Sequence, residues 1–195
     1  VSAYMLELYN DQLQDLLAPP AADGAGGGRR VEIKRTRRGV VFAQGAETRE
    51  ASSAQELYAL FQQASAQRHI SATKMNVESS RSHLIVCVLV ESRNLTNGSL
   101  STGKLSLVDL DGSERAAKTG AKDHQLREAN SINKSLSALG DVISALSAEL
   151  PHVPYRNSKL TQVMQDSLGG DAKTLMIVTV SPSETSLDET LTSLV

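Results

Sequence analysis

Two apolar runs, Leu84–Ser92 and Lys104–Leu110, stand on either side of an Asn97-Gly98 dipeptide. Asn-Gly is a strong hairpin signal, because both residues tolerate positive φ and the resulting turn matches the twist of the flanking strands. The chain is therefore expected to contain two antiparallel neighbours, and its other elements must be arranged around that pair.

The remaining signals alternate between strand and helix. Val1–Tyr9 reads as a strand, and Leu13, Leu16 and Leu17 as a short helix stopped by Pro19-Pro20. Residues 19–30 form a loop. Its Gly26-Gly27-Gly28 has no Lys-Ser/Thr after it, so it reads as a flexible insertion and not a phosphate loop. Short strands are expected near Val31–Lys34 and Val40–Ala43, with Gly39 between them. Ser53-Ala-Gln-Glu56 is a capping box, followed by Leu57, Leu60, Phe61 and Ala64 at helical spacing. Ile132, Leu136, Leu139, Ile143 and Leu146 mark one stripe of a long helix. Another helix is expected from about Asn157 to Leu168, with Leu160, Val163 and Met164 inward and Gly169-Gly170 as its stop. Thr174–Val180 is nearly all apolar, as in a central strand covered on both faces, and Ser186-Leu-Asp-Glu189 opens a last helix. This order predicts one α/β layered domain with a mixed sheet.

Aromatic residues are 3% of the chain and Trp is absent, so the core must be aliphatic. A net charge of −2 excludes a generally basic nucleic-acid binder while leaving room for local cationic clusters. The single Cys87 lies in an apolar run and is expected to be a buried, inert thiol. No apolar stretch is long enough to cross a bilayer and no signal-peptide pattern opens the chain, so an intracellular protein without membrane insertion is expected. The sequence begins mid-strand without Met, and reads as a piece of a larger domain.

Candidate chemistry sits in two loops. In Val108-Asp109-Leu110-Asp111-Gly112-Ser113-Glu114 an Asp ends a strand and a Gly follows three residues later. Such a carboxylate can hold Mg²⁺ through water, while the bare glycine N–H can approach a terminal phosphate. Alone, D-x-x-G occurs in many loops by chance. The segment Asn76-Val-Glu-Ser-Ser-Arg-Ser-His83 precedes the strand that pairs with the Asp109 strand, so both loops should emerge near each other. It offers an amide, hydroxyls and a guanidinium, groups suited to phosphate oxygens, Mg²⁺ and water. The competing reading is a serine-rich turn with a solvated Arg.

Here a family resemblance becomes specific. Asn76 with Ser79-Ser80-Arg81-Ser82-His83 resembles the first switch of kinesins, and Asp109-Leu-x-Gly112-Ser-Glu-Arg115 resembles the second. Ile132-Asn-Lys-Ser-Leu-Ser-Ala-Leu-Gly140 resembles the kinesin relay helix; Pro154-Tyr-Arg-Asn-Ser-Lys-Leu-Thr161 and Gln165-Asp-Ser-Leu-Gly-Gly170 resemble the loop and helix after it. The similarity spans essentially the whole chain. Ala3–Tyr9 and Glu78–Leu84 are closest to kinesin-like calmodulin-binding proteins, a minus-end-directed class with C-terminal motors. The implied fold is a three-layer α/β/α nucleotide-hydrolase of kinesin type with a central mixed sheet, lacking here its N-terminal part with the phosphate-binding loop.

The resemblance further implies ATP and Mg²⁺ as cofactors. Ser80 would help hold Mg²⁺, with Asp109 behind it through water. Asn76 and Ser79 would lie near the γ-phosphate and attacking water, Gly112 would sense that phosphate through its N–H, and Arg81 would pair with Glu114 to close the switches. Lys118, Lys122, His152, Arg156 and Lys159 would face the microtubule, whose acidic surface suits a local cationic patch; solvated surface charge is the plainer alternative. Calmodulin would act through a segment outside these residues, and the location would be the cytoplasmic cytoskeleton. The four His residues lack metal-ligand spacing.

Two departures stand out. No G-x-x-x-x-G-K-S/T loop occurs in the 195 residues, so the chain alone is expected not to hydrolyse ATP. Asp111 occupies a position where the second switch normally carries Ala, and could face the nucleotide, face solvent, or pair with Lys118 or Arg115. The leading function is an ATP-driven microtubule motor. The alternatives are a nucleotide-independent microtubule tether and a GTPase-type switch, the latter disfavoured by the relay-helix motif.

Overall fold

In the computed structural model the described residues are 1–19, 30–75, 82–112 and 123–194. They fall into two units, Val1–Asp111 and Gly112–Val195. The first is built on β1 (Ser2–Tyr9), which pairs antiparallel with β2 (Gln12–Asp15), β5 (Arg49–Glu50) and β6 (His83–Arg93). β6 in turn pairs antiparallel with β7 (Leu100–Asp109), giving the order β2-β1-β6-β7. A separate hairpin joins β3 (Glu32–Arg35) to β4 (Val41–Gln44), and α1 (Ala54–Met75) precedes β6.

The expected β6–β7 hairpin forms, with register from Leu84↔Asp109 to Arg93↔Leu100. Its connection is longer than the dipeptide alone suggests. Asn94 accepts from Thr96 N–H and Asn97 N–H through its side chain, its carbonyl accepts from Gly98 N–H, and Gly98 takes φ +73°. The short helix expected at 13–17 does not form. Asn10 and Asp11 both adopt positive φ (47° and 58°), and this tight turn sends β2 back along β1. Leu16 and Leu17 are buried all the same, because the Leu16 N–H donates to the Met5 carbonyl (2.9 Å) and swings both leucines under the sheet. A leucine pair at this spacing serves either geometry; the turn residues decide.

One face of the sheet forms the core of this unit. Ala3, Met5, Leu16, Leu17, Val86 and Val88 cluster with Ala64, and Leu57 and Leu60 of α1 pack against them. The capping box appears at the start of α1: Ser53 Oγ accepts from Glu56 N–H (3.2 Å), and Glu56 Oε2 accepts from Ser52 N–H (2.8 Å). Phe61, also in the stripe at helical spacing, is 38% exposed and stacks on Tyr58 at 6.4 Å between ring centroids. Ala64, from the same stripe, is buried as expected, and its small side chain lets the helix lie close to the sheet. The alternate residues Leu6, Ile85 and Cys87 are also fully buried, and the Cys87 thiol meets only Ser106 Oγ at 3.8 Å among the contacts described.

In the second unit, α2 (Asp123–Ser147) carries the long apolar stripe. Among those of its residues whose side chains are described, Ser135, Ala138, Leu139, Val142 and Ala145 are buried, while Leu136, Ile143 and Leu146 of the expected stripe are half-buried. The helix expected over 157–168 is divided into a 3-10 turn (Tyr155–Asn157), α3 (Lys159–Val163) and α4 (Gln165–Leu168), with the break at Met164. Leu160 and Val163 face inward as expected. α5 (Leu187–Leu194) follows a 3-10 turn at Glu184–Ser186. Thr174–Val180, expected to be a central strand, is neither paired nor buried: Leu175 and Ile177 are 85% and 79% exposed. A run apolar on both faces needs a neighbour at each edge and a layer on each side, and among the described residues no strand pairs with it.

Met5 is 1% exposed at the centre of the first core. Met5→Ala should cost about 2–5 kcal/mol in urea unfolding, whereas Leu95→Ala, at a position 96% exposed, should stay within about 0.5 kcal/mol. Equal midpoints for the two variants would contradict this core.

Candidate functional site

The ends of β6 and β7 lie side by side, because register pairs Leu84 with Asp109. The loops expected to carry chemistry therefore enter β6 and leave β7 at one end of the sheet. Asn76, Ser79, Ser80, Arg81 and Glu114 lie outside the described residues, as do Lys118 and Lys122. Asp109, Asp111 and Gly112 are described, and so is the support beneath them.

That support was not singled out in the sequence. Glu7 on β1 is 5% exposed, and Arg68 of α1 reaches it, Nε donating to Oε1 at 3.2 Å. Arg68 Nη2 donates to the Ser82 carbonyl (2.8 Å) and lies 3.2 Å from Ser82 Oγ, while that hydroxyl donates to the same Glu7 oxygen at 2.6 Å. Arg68 Nη1 stands 3.7 Å from Asp109 Oδ2. The next residue, His83, is 3% exposed, and its Nδ1 accepts from the Asp111 N–H at 3.0 Å. That bond requires Nδ1 to be unprotonated. Burial pushes the His83 imidazole down to about 4, helped by the Arg68 charge and opposed by Asp109. The backbone leaving β7 is thus tied to the first residue of β6 by a neutral histidine. Helical periodicity could not reveal Arg68, whose partners are 61 and 14 residues away.

Asp109 presents a carboxylate whose side chain is 73% exposed, and 3.7 Å from Arg68 is too long for a hydrogen bond. Its oxygens are thus free of that competition and suit a hard cation held through water. No group of three or more His, Cys, Asp or Glu among the described residues could hold a metal. Asp111 is only 7% exposed, which removes the solvent-facing alternative for it.

In the second unit His152 and Arg156 are exposed and Lys159 is half-buried, all within one short segment. Thr161, fully buried, donates to the Tyr155 carbonyl (2.7 Å) and the Ser158 carbonyl (2.9 Å), and Ser158 Oγ caps α3 by accepting from Leu160 N–H. A Cβ on Gly169 would stand 2.5 Å from the Tyr155 hydroxyl, so the glycine permits that close approach. Charged side chains are here displayed on a segment pinned from beneath. A second cationic surface, which sequence reading passed over, is the β3–β4 turn, where Lys34, Arg35, Arg37 and Arg38 are all exposed.

Residues 1–195 match the family described as the kinesin motor domain. The chain is similar to kinesin-like protein KIN-14E of Arabidopsis thaliana, 55% identical over 194 residues that make up 100% of this chain and 15% of that protein. Among solved structures it resembles a fast kinesin (42% identity, TM-score 0.86), covering 99% of this chain and 53% of that one. It also resembles the motor domain of a Kar3-like kinesin from Ashbya gossypii (36% identity, TM-score 0.78), covering 99% of this chain and 56% of that one. The fold is that of the kinesin motor, and the chain spans about half of those solved chains.

The buried histidine carries a pH signature. Unfolded, His83 should titrate near 6.5; folded, near 4. Between those values the unfolded state binds the extra proton, so stability is complete above about pH 6.5 and falls as pH drops towards 4, by roughly 3 kcal/mol at most. His83→Gln keeps an acceptor for the Asp111 N–H and should flatten that slope in urea titrations. A slope equal to that of the unmodified protein would refute the assignment.

Proposed function

Because the chain belongs to the kinesin motor-domain family, we propose that it supplies the switch and filament-contact part of an ATP-driven microtubule motor. The observation that carries this reading is the junction of β6 and β7, where an exposed carboxylate at the end of one strand stands beside the start of the other. A nucleotide bound there would act as a removable tie between the loop entering β6 and the loop leaving β7. ATP and Mg²⁺ are the cofactors of this reading. Ser80 and Asp109 serve the cation, Asn76 and Ser79 the γ-phosphate and attacking water, and Gly112 the γ-phosphate through its N–H. Arg81 and Glu114 close the two loops, and α2 transmits the change. The 195 residues alone would not turn over ATP. Minus-end direction, calmodulin control through a segment outside these residues, and a cytoskeletal location belong to the same reading by family resemblance.

The filament is contacted by the cationic segment His152, Arg156 and Lys159, together with Lys118 and Lys122. Its pinned backbone supports this, since holding charges in one geometry lowers the ordering cost of binding an acidic surface.

Two experiments test the reading in the complete motor. Arg81→Ala or Glu114→Ala should nearly abolish microtubule-stimulated ATP turnover while nucleotide still binds, because breaking a buried pair costs about 3–5 kcal/mol. A variant retaining most of its rate would refute the pairing, and microtubule binding without turnover in the unmodified protein would favour a tether. Replacing Arg156 and Lys159 together with Ala should weaken cosedimentation with microtubules and leave basal turnover unchanged. The deficit should shrink as salt rises, since exposed charges are screened over about 10 Å at 0.1 M. Unchanged binding at low salt would remove the segment from the interface.

A further inference from the structure

The β3–β4 hairpin is basic out of proportion to the chain. Residues 30–44 hold five cations, Arg30, Lys34, Arg35, Arg37 and Arg38, against one carboxylate, Glu32, a net of +4 in a chain of net −2. Glu32 engages Lys34 at 2.9 Å and stands 3.9 Å from Arg30, and Arg35 Nε donates to the Gly39 carbonyl at 3.1 Å. Arg37 and Arg38 make no hydrogen bond or ion pair among the described residues. Cations crowded at one tip repel one another, and these two offset that with no contact in the fold. Thr36, exposed directly after β3, lies between the two pairs of cations. Its N–H donates to the Val40 carbonyl (2.9 Å), its carbonyl accepts from Gly39 N–H (3.0 Å), and its Oγ1 accepts from Val40 N–H (3.1 Å). The hydroxyl therefore serves the turn through a lone pair, and its own proton is not engaged among the described residues.

We propose that Thr36 is a phosphorylation site for a serine/threonine kinase with an acidic substrate groove, and that its modification is a charge switch on the hairpin. The proposal does not depend on the motor reading. In the step, Thr36 Oγ1 bonds to the γ-phosphorus of ATP held by the kinase. The bond from that phosphorus to the β-phosphate oxygen breaks, ADP leaves with the electron pair, and the hydroxyl proton passes to a base of the kinase. Cations on both sides of the acceptor supply what an acidic groove recognises. Access requires the tip to open into an extended chain, and the hairpin is built for that. It is a two-stranded sheet apart from the larger one, a form of marginal stability. Its base is anchored by buried Val31 and Val41 and by Lys104 Nζ, which donates to the Val41 carbonyl at 3.1 Å, whereas its tip is exposed. Opening there breaks the turn bonds of Thr36 and leaves the anchors intact. Once transferred, the phosphate has guanidinium groups at hand. Arg35 already lies over the turn, since a Cβ on Gly39 would stand 3.1 Å from its Nη2, and Arg37 and Arg38 are uncommitted. A phosphate adds a charge of about −1.5 to −2, so the hairpin falls to about +2 and its guanidinium groups turn inward.

The experiment incubates the complete, folded protein with ATP and the catalytic domain of protein kinase C, and maps phosphate by mass spectrometry. Thr36 should be modified in more than half of the molecules. Replacing Arg37 and Arg38 together with Ala should slow modification of Thr36 at least tenfold with an unchanged melting temperature, because neither side chain has a partner in the fold. The modified protein should bind immobilised polyglutamate at least threefold more weakly at low salt, a difference absent from Thr36→Val treated in the same way. Phosphate found only at other residues, or none at all, overturns the site. Modification of Thr36 at an unchanged rate without Arg37 and Arg38 overturns the recognition by flanking cations. Equal polyglutamate binding before and after modification overturns the charge switch.

Discussion

A carboxylate buried in an aliphatic sheet needs a cation and hydrogen bonds, or it cannot remain charged there. Glu7 sits near the end of β1, and Arg68 and Ser82 meet that requirement together. The consequence is geometric as much as energetic. Removing one partner of such a pair leaves an uncompensated buried charge, at a cost of about 3–5 kcal/mol, so α1, β1 and the start of β6 are held to one arrangement. His83 follows immediately and captures the backbone N–H of Asp111. The end of the sheet where β6 starts and β7 ends is thus organised by polar groups, whereas its middle is organised by Met5, Leu17, Val86 and their aliphatic neighbours.

The two candidate sites follow a common rule. In each, a charged side chain is exposed, and the backbone that carries it is tied down by buried polar contacts. Asp109 projects from a strand whose partner begins with buried His83, directly after buried Ser82. Arg156 projects from a turn that Thr161 and Ser158 fasten from below, beside a glycine that leaves room for Tyr155. For a partner binding such a group, little ordering would remain to be done at the moment of contact.

Elements whose information is local could be read in advance. The Asn97-Gly98 turn, the Ser53–Glu56 cap and the stripe of α2 depend on residues within a few positions of one another. The switch and relay motifs were legible for a different reason, as ordered strings of residue types that resemble one family along the whole chain. Errors arose where two geometries suit the same apolar spacing. Leu16 and Leu17 are buried from a strand as readily as from a helix, and the positive φ of Asn10 and Asp11 selected the strand. Of the stripe expected on α1, Leu57, Leu60 and Ala64 pack on the core while Phe61, at its edge, is left exposed.

The sequence by itself therefore determined the α/β class, the β6–β7 hairpin, the long α2 helix and the family, since periodicity, turn chemistry and motif order are properties of neighbouring residues. Only the tertiary structure decided that Glu7, Arg68, Ser82 and Asp109 meet, and that a neutral His83 fastens the chain leaving β7. Those contacts join residues up to 75 positions apart, and their strength comes from burial that exists only once the sheet and α1 have packed. The run Thr174–Val180 shows the same limit from the other side: its composition suits a central strand, but pairing is supplied by neighbours and not by composition.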